Sequence, residues 1–82
     1  MTYALLLEKI AEPGFPSGYY YAHIPTLGLT TQGLGVEGAR AAALELVDLW
    51  IAEKRSHGEP VPLPGETLLS SIELPVDALQ SS

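Results

Sequence analysis

The chain has 82 residues, of which 46% are apolar, and ten acidic residues against four basic ones give a net charge of −6. This length allows one small domain, which buries only about 60–65% of its unfolded surface and gains from oligomerisation, while the apolar fraction excludes a disordered chain. The acidic balance fits a basic partner or simple solubility, and it disfavours binding to nucleic acid or to anionic membranes, because phosphate contacts need clustered Lys and Arg.

Three short strands are predicted in the first half of the chain. Residues 3–10 and 19–24 alternate in side-chain direction with period two, and residues 29–33 form a shorter third strand. The segment between the first two strands, residues 11–18, holds two prolines and two glycines, which break regular structure. Pro25 ends the second strand because proline cannot donate to a ladder of strand hydrogen bonds.

The second strand places Tyr19, Tyr21 and His23 on one side. Aromatic residues stabilise cross-strand pairs, and an exposed tyrosine pair would equally form an interaction hot spot. Phe15, in the preceding loop, either packs against the edge of the core or contacts a partner. His23 has no acid or nucleophile at a catalytic sequence spacing, so we predict an exposed or hydrogen-bonded strand histidine.

Residues 36–55 predict one long helix, roughly 30 Å in length. Gly58 and Pro60 follow it, the first suited to a positive φ just past the helix end and the second unable to continue a helix. Lys54 and Arg55 add positive charge to the last turn, which favours the helix dipole. The predicted apolar face comprises Val36, Ala39, Ala43, Leu46, Val47 and Trp50, widened by Leu44 and Ile51.

Residues 56–66 hold three prolines and two glycines, and they form either a stiff connector or a docking arm. Residues 68–76 predict a fourth strand, which Pro75 places at a sheet edge. The order strand–strand–strand–helix–strand predicts a single α+β domain over residues 1–82, with one helix covering one face of an antiparallel meander.

No catalytic or metal-binding constellation is recognisable. Gly33, Gly35 and Gly38 precede the helix, but their spacing fits no phosphate-binding loop. Glu8 and Glu73 are the only acids on the predicted strands, and a metal-dependent hydrolase would need at least two inward acids. The sequence therefore predicts a binding protein that is not an enzyme and uses no metal or cofactor.

The absence of cysteine excludes disulfides and zinc–cysteine sites. No signal peptide is recognisable and no apolar run is long enough to cross a bilayer. We expect a soluble protein of the cytoplasm.

Three segments resemble the HicB family, the antitoxins of HicA–HicB toxin–antitoxin systems. Residues 3–9 are similar to the family's first strand, with an aromatic residue, an apolar run and then Glu-Lys. Residues 21–33, YAHIPTLGLTTQG, are similar to its second strand, its Pro-x-Leu turn and the Thr-Gln-Gly before its helix. Residues 57–64, HGEPVPLP, are similar to the Gly-Glu-Pro-Ile-Pro-x-Pro that follows the helix.

The resemblance implies a partial RNase H-like core without catalytic acids. It also implies a homodimer or homotetramer that binds and covers a small basic HicA-like toxin, which cleaves mRNA. The DNA-binding domain of many family members has no counterpart in residues 1–82, so we expect no direct binding to nucleic acid. The alternative is a stand-alone homo-oligomeric module of the same fold, which has no toxin partner and binds a small molecule or another protein.

The candidate partner-binding residues are Tyr19, Tyr21, Glu59 and Glu66. They are chosen for expected exposure beside the sheet edge and the proline-rich segment.

Overall fold

The computed structural model describes residues 1–76 and has three antiparallel strands followed by one helix, which confirms the predicted α+β class. Residues 77–82, which the sequence assigns to the same domain, lie outside the described residues. Strands that follow one another along the chain are neighbours in the sheet, so the predicted meander is also confirmed. The elements are β1 (Leu6–Lys9), β2 (Tyr19–Ile24), β3 (Leu29–Leu34) and α1 (Gly35–Ser56).

Two loops of different length set the strand register. Ile24 pairs with Leu29 across a four-residue loop, and the Gly28 amide donates to the Pro25 carbonyl (3.2 Å). Gly28 takes φ +67°, a left-handed conformation that glycine adopts without steric cost. The loop between β1 and β2 is longer and ends where the Ile10 amide donates to the Tyr19 carbonyl (3.0 Å). This register puts alternate residues of all three strands on the same face.

Small side chains let α1 lie close to the sheet. The buried cluster consists of Ala22 and Ile24 from β2 with Ala39 and Ala43 from α1. A Cβ atom built on Gly33 would lie 2.5 Å from the backbone carbon and oxygen of Gly38, so β3 and α1 are almost in backbone contact there. The helix packs chiefly against β3 and β2, and the outer strand β1 is left at the margin of the core.

Glycines with a positive φ lie at both ends of α1 and determine where the helix begins and ends. Gly35 takes φ +69° where β3 turns into the helix, and the preceding Leu34 makes no side-chain capping bond. At the other end the amide of Gly58 donates to the Arg55 carbonyl (3.1 Å) and that of Glu59 to the Lys54 carbonyl (2.9 Å). This pair of bonds, with Gly58 at φ +67°, is a Schellman motif, which agrees with the predicted helix end.

The last turns of α1 extend past the sheet. The helix has 22 residues, or roughly 33 Å, whereas a six-residue strand spans about 20 Å. In this projecting part the Lys54 ammonium lies 5.2 Å from the centroid of the Trp50 ring and 2.9 Å from Glu59 Oε2. Trp50 is half-buried, covered partly by Lys54.

Two predictions about the helix face are wrong. Val36 is 42% exposed and Leu44 is 66% exposed, although both were assigned to the buried face. The contact with the sheet is a narrow line along Ala39, Ala43 and Val47. The helix packs against β3 and β2, so Leu44 lies at the margin beside β1, where no other side chain of the described residues covers it.

The fourth strand predicted at residues 68–76 is not formed. Residues 59–75 have neither helical nor strand structure, and Leu68 and Ile72 are 80% and 85% exposed. A strand needs a neighbour with which to pair its backbone, and no backbone hydrogen bond joins these residues to the sheet in the part of the chain that the structure describes. Its alternating apolar pattern is therefore left without a partner.

Within residues 1–76, no helix combines the length and the apolar character that a transmembrane span requires.

Candidate partner-binding surface

The face of the sheet opposite α1 is uncovered in the described chain. Strand register defines it, because Glu8 pairs with Tyr21 and Tyr21 with Gln32, while the buried Ala22 faces the helix. We call this side the open face. Its members alternate with the core residues and comprise Leu6, Glu8, Tyr19, Tyr21, His23, Thr30, Gln32 and Leu34.

A hydrogen-bond chain crosses all three strands on the open face. His23 Nδ1 lies 3.0 Å from the Thr30 hydroxyl oxygen, and His23 Nε2 lies 3.2 Å from Glu8 Oε1. A neutral imidazole that accepts from Thr30 and donates to Glu8 satisfies both contacts, and a protonated imidazole would donate to both oxygens. These two hydrogen bonds fix the orientation of the His23 ring and leave the second carboxylate oxygen of Glu8 able to accept from other donors.

The order hydroxyl, imidazole, carboxylate is also that of hydrolase triads. A triad needs a site where the substrate is enclosed beside the nucleophile and oxyanion donors. Glu8 and Thr30 are instead exposed on an open sheet surface. Neither of the two grooves described below is lined by Glu8, His23 or Thr30. We interpret the arrangement as a fixed polar recognition surface.

Sequence reasoning missed this set of hydrogen bonds because it sought partners for His23 only at short sequence spacings. The three residues are 7 and 15 positions apart and meet only through strand pairing. The four-residue loop after β2, together with the period-two alternation of strands, would have placed Thr30 opposite His23. The loop between β1 and β2 is longer and does not define the strand register in the same way, so the sequence gives no comparable indication that Glu8 lies beside His23.

Tyr21 is held beside His23 by an acid from the first loop. Its hydroxyl donates to Glu12 Oε1 (2.9 Å), and its ring centroid lies 5.7 Å from that of His23. The hydrogen bond to Glu12, with the negative charges of Glu12 and Glu8, raises the pKa of Tyr21 above its ordinary value near 10. The phenol is thus kept as a neutral donor in a negative environment.

We expect Tyr21 to ionise at a higher pH than an ordinary tyrosine side chain. The Glu12→Gln substitution removes the charge next to the hydroxyl, so the pKa of Tyr21 should fall back toward its ordinary value. Ultraviolet difference titration, with the Tyr21→Phe protein subtracted to isolate this group, measures the shift. An unchanged titration in Glu12→Gln would contradict the role of Glu12.

Of the predicted partner-binding residues, the structure brings Tyr19 and Tyr21 together and leaves Glu59 and Glu66 apart from them. Tyr19 is half-buried on the open face, and the ring of Phe15 packs edge-on against it at 5.6 Å between centroids. Glu59 follows the helix on the other side of the sheet and is bonded to Lys54. Glu66 is exposed in the segment after the helix.

Two apolar grooves lie beside the first strand, the first on the helix side of the sheet and the second reaching Leu6 at the margin of the open face. The α1/β1 groove, about 390 Å³ in volume, separates the start of the chain from α1 and is lined by Leu5, Ile24, Leu44 and Val47 among others. The second, the arm groove, about 380 Å³, lies between residues 4–6 and residues 67–69. The Tyr3 hydroxyl donates to the Pro62 carbonyl (2.6 Å) and holds the later segment near these grooves.

Among residues 1–76, no three His, Asp or Glu side chains are close enough to hold a metal ion. The two predicted strand acids do not converge, since Glu8 lies on the open face and Glu73 lies in the irregular segment.

Comparison with protein-family models, with curated proteins and with solved structures found no match to this chain.

Proposed function

We propose that this chain is an antitoxin-type binding module of the cytoplasm that sequesters a small basic mRNA-cleaving toxin of the HicA type. The observation that carries the proposal is the uncovered open face, on which the carboxylates of Glu8 and Glu12 border Tyr21. A rigid aromatic group flanked by acids is suited to arginine and lysine side chains of a partner, which stack on the ring and donate to the carboxylates.

The charge of the whole chain supports the same partner chemistry. A net charge of −6 attracts a basic protein at long range and accelerates its encounter. Carboxylates on the binding face would also occupy the cationic groups with which such a toxin holds RNA phosphates. Binding would thus block RNA access without any reaction by this chain.

The four predicted contact residues have different parts in this proposal. Tyr21 and Tyr19 are the aromatic anchors, since buried tyrosines supply much of the binding energy in protein interfaces. Glu66 offers a second acidic contact from the irregular segment after the helix, where it is exposed. Glu59 contributes less, because its carboxylate is already bonded to Lys54.

The finer fold belongs to the same proposal. Residues 68–76 would supply the fourth strand of a HicB-like, partial RNase H-like domain. Pairing with a strand edge would cover the apolar side chains of this segment that are now exposed.

The test is coexpression with the small basic protein encoded next to this chain, followed by an RNA cleavage assay of that protein alone and in complex. We expect a stable complex in which cleavage is lost and whose association rate falls steeply with added salt. A neighbouring protein that forms no complex, or a complex that still cleaves RNA, would refute the proposal.

Matched charge reversals locate the binding face. Glu8→Lys on the open face should slow association about tenfold and weaken the complex. Glu45→Lys, on the exposed side of α1, makes the same charge change on the opposite side of the molecule and should have a much smaller effect. Equal effects of the two substitutions would mean that the open face is not the binding site.

The second candidate function is a stand-alone homo-oligomer with no toxin partner. The two apolar grooves beside β1 favour it, because they present uncovered surface that is unrelated to the acidic open face.

A further inference from the structure

We propose that residues 68–76 dock on a second copy of this chain, along the outer edge of β1 and in the α1/β1 groove, so that two copies exchange these segments reciprocally. We call residues 59–76 the arm. The inference goes beyond toxin binding and does not depend on it, since it uses the edge strand β1 and the α1/β1 groove and not the acidic residues of the open face.

The α1/β1 groove exists because the helix leans toward β3 and β2. The side chains of Leu5, Leu44 and Val47 therefore border a space that no other part of the described chain fills. An apolar cavity of roughly 150 Å³ holds a benzene molecule, so a groove of about 390 Å³ accepts at least two aliphatic side chains. Its rim carries one charge of each sign, from Glu37 and Arg40.

The arm has the side chains that such a groove needs. When it is extended, Leu68, Ile72 and Leu74 project to one side with a period of two, and all three are exposed in the single chain. Glu73, on the other side, is a candidate to pair with Arg40 of the second copy at the rim. An exposed apolar segment next to an unpaired strand edge is a suitable donor for strand addition.

The arm passes beside its own body without filling the α1/β1 groove. Pro60, Pro62 and Pro64 favour a stiff polyproline II segment, and the bond from Tyr3 to Pro62 fixes where that segment leaves the body. The arm borders its own body at residues 67–69, and the side chains beyond remain exposed. The radius of gyration is 16.1 Å, against about 12 Å for a compact chain of this length.

The uncovered area is large enough for a stable dimer. The chain exposes 6399 Å², whereas a compact monomer of its mass exposes about 4,700 Å². The excess is roughly twice the 800 Å² that each partner buries in a standard interface. Reciprocal exchange would bury the arm and the groove of both copies in one symmetric contact.

Single-cysteine variants test the exchange directly, because the chain has no cysteine of its own. Leu44→Cys marks the groove and Ile72→Cys marks the arm. When the two proteins are mixed and oxidised, we expect a disulfide-linked heterodimer. The control is Leu49→Cys mixed with Ile72→Cys, since Leu49 is 64% exposed, nearly the same as Leu44, but faces away from the groove. That mixture should give no cross-link.

The double variant Leu44→Cys/Ile72→Cys distinguishes exchange from folding of the arm onto its own body. Exchange predicts cross-linked dimers. A monomer with an internal disulfide, formed at high dilution and at high concentration alike, would overturn the proposal. Light scattering of the unmodified chain should give twice the monomer mass, and a monomeric mass at high concentration would also overturn it.

A charge placed on the arm gives an independent measure. Ile72→Asp should raise the dimer dissociation constant at least tenfold, because a carboxylate would be buried in the apolar groove. Ser71→Asp adds the same charge on the other side of the extended arm and should change it less than threefold. Equal changes of the dissociation constant in the two variants would refute the assignment of Ile72 to the side of the arm that enters the groove. Neither outcome bears on toxin binding.

Discussion

The Gly33→Ala variant is expected to lose about 3 kcal/mol of its free energy of unfolding. The added Cβ would lie 2.5 Å from the backbone carbon and oxygen of Gly38 and 2.6 Å from the amide nitrogen of Ala39. Backbone atoms cannot rotate away as a side chain does, so β3 and α1 must separate and loosen the packing of Ala22 against Ala39. For a domain of this size the midpoint of thermal unfolding should fall by roughly 12–24 °C.

The matched control is the glycine on the other side of the same contact. A Cβ on Gly38 would lie no closer than 3.6 Å to its nearest neighbour, the Gly33 carbonyl carbon, and Gly38 lies within α1. Gly38→Ala should therefore raise the free energy of unfolding, by up to about 1 kcal/mol, through helix propensity. Circular dichroism melts of the two variants should move in opposite directions. Equal stability of Gly33→Ala and the unmodified chain would show that the helix and the strand are farther apart than described.

The Ile24→Ala variant is expected to lose 2 to 5 kcal/mol, that is, about as much as a small domain has in total. Ile24 is 2% exposed, and it is the only large side chain of a buried cluster whose other members are alanines, so truncating it removes most of the apolar volume of that cluster. Urea unfolding followed by circular dichroism measures the loss.

Two further substitutions show whether that loss comes from burial. Ile24→Val removes one methylene group and should cost about 0.5–1.5 kcal/mol. Leu49→Ala truncates an exposed aliphatic side chain of α1 and should change stability by less than about 0.5 kcal/mol. A loss at Leu49 as large as that at Ile24 would mean that the outer side of the helix is also covered in solution.

The positions of the three strands and the helix were predictable because their signals are local. The first strand is shorter than predicted, since only Leu6–Lys9 of the predicted residues 3–10 pair with β2. The bounds of β2 agree at both ends with the prediction over residues 19–24, since Gly18 and Pro25 stop it. The helix differs from its prediction by one residue at each end. The side chains at the margins of the helix face were not predictable, because the helix–sheet distance depends on which strand residues, Gly33 and Ala22, lie against α1, and strand pairing decides that.

The predicted fourth strand shows that a local sequence pattern does not determine whether a strand finds a partner. Residues 68–76 alternate in the way of a strand, but alternation only states which side chains would share a face. Strand pairing requires a free strand edge within reach of the segment. The described chain offers the four-residue strand β1, and a proline-rich segment separates residues 68–76 from the helix. Leu68 and Ile72 are exposed as a consequence.

The candidate surface was predictable in part. Tyr19 and Tyr21 were assigned to one side of a strand from alternation alone, and they share the open face. Glu59 was chosen for exposure, but its bond to Lys54 depends on how the chain turns after the helix. The partners of His23 required the pairing of three strands, which no single segment encodes.

The position of Trp50 has a practical consequence for spectroscopy of this chain. It is the only tryptophan, and it lies where α1 projects past the sheet, under the Lys54 ammonium and far along the helix from Ala39. Its fluorescence should therefore respond to ionic strength and to fraying of the last helical turns before the sheet itself melts. A change in tryptophan emission alone would therefore report on the C-terminal end of α1. Unfolding of the whole domain is better followed by circular dichroism of the backbone amides.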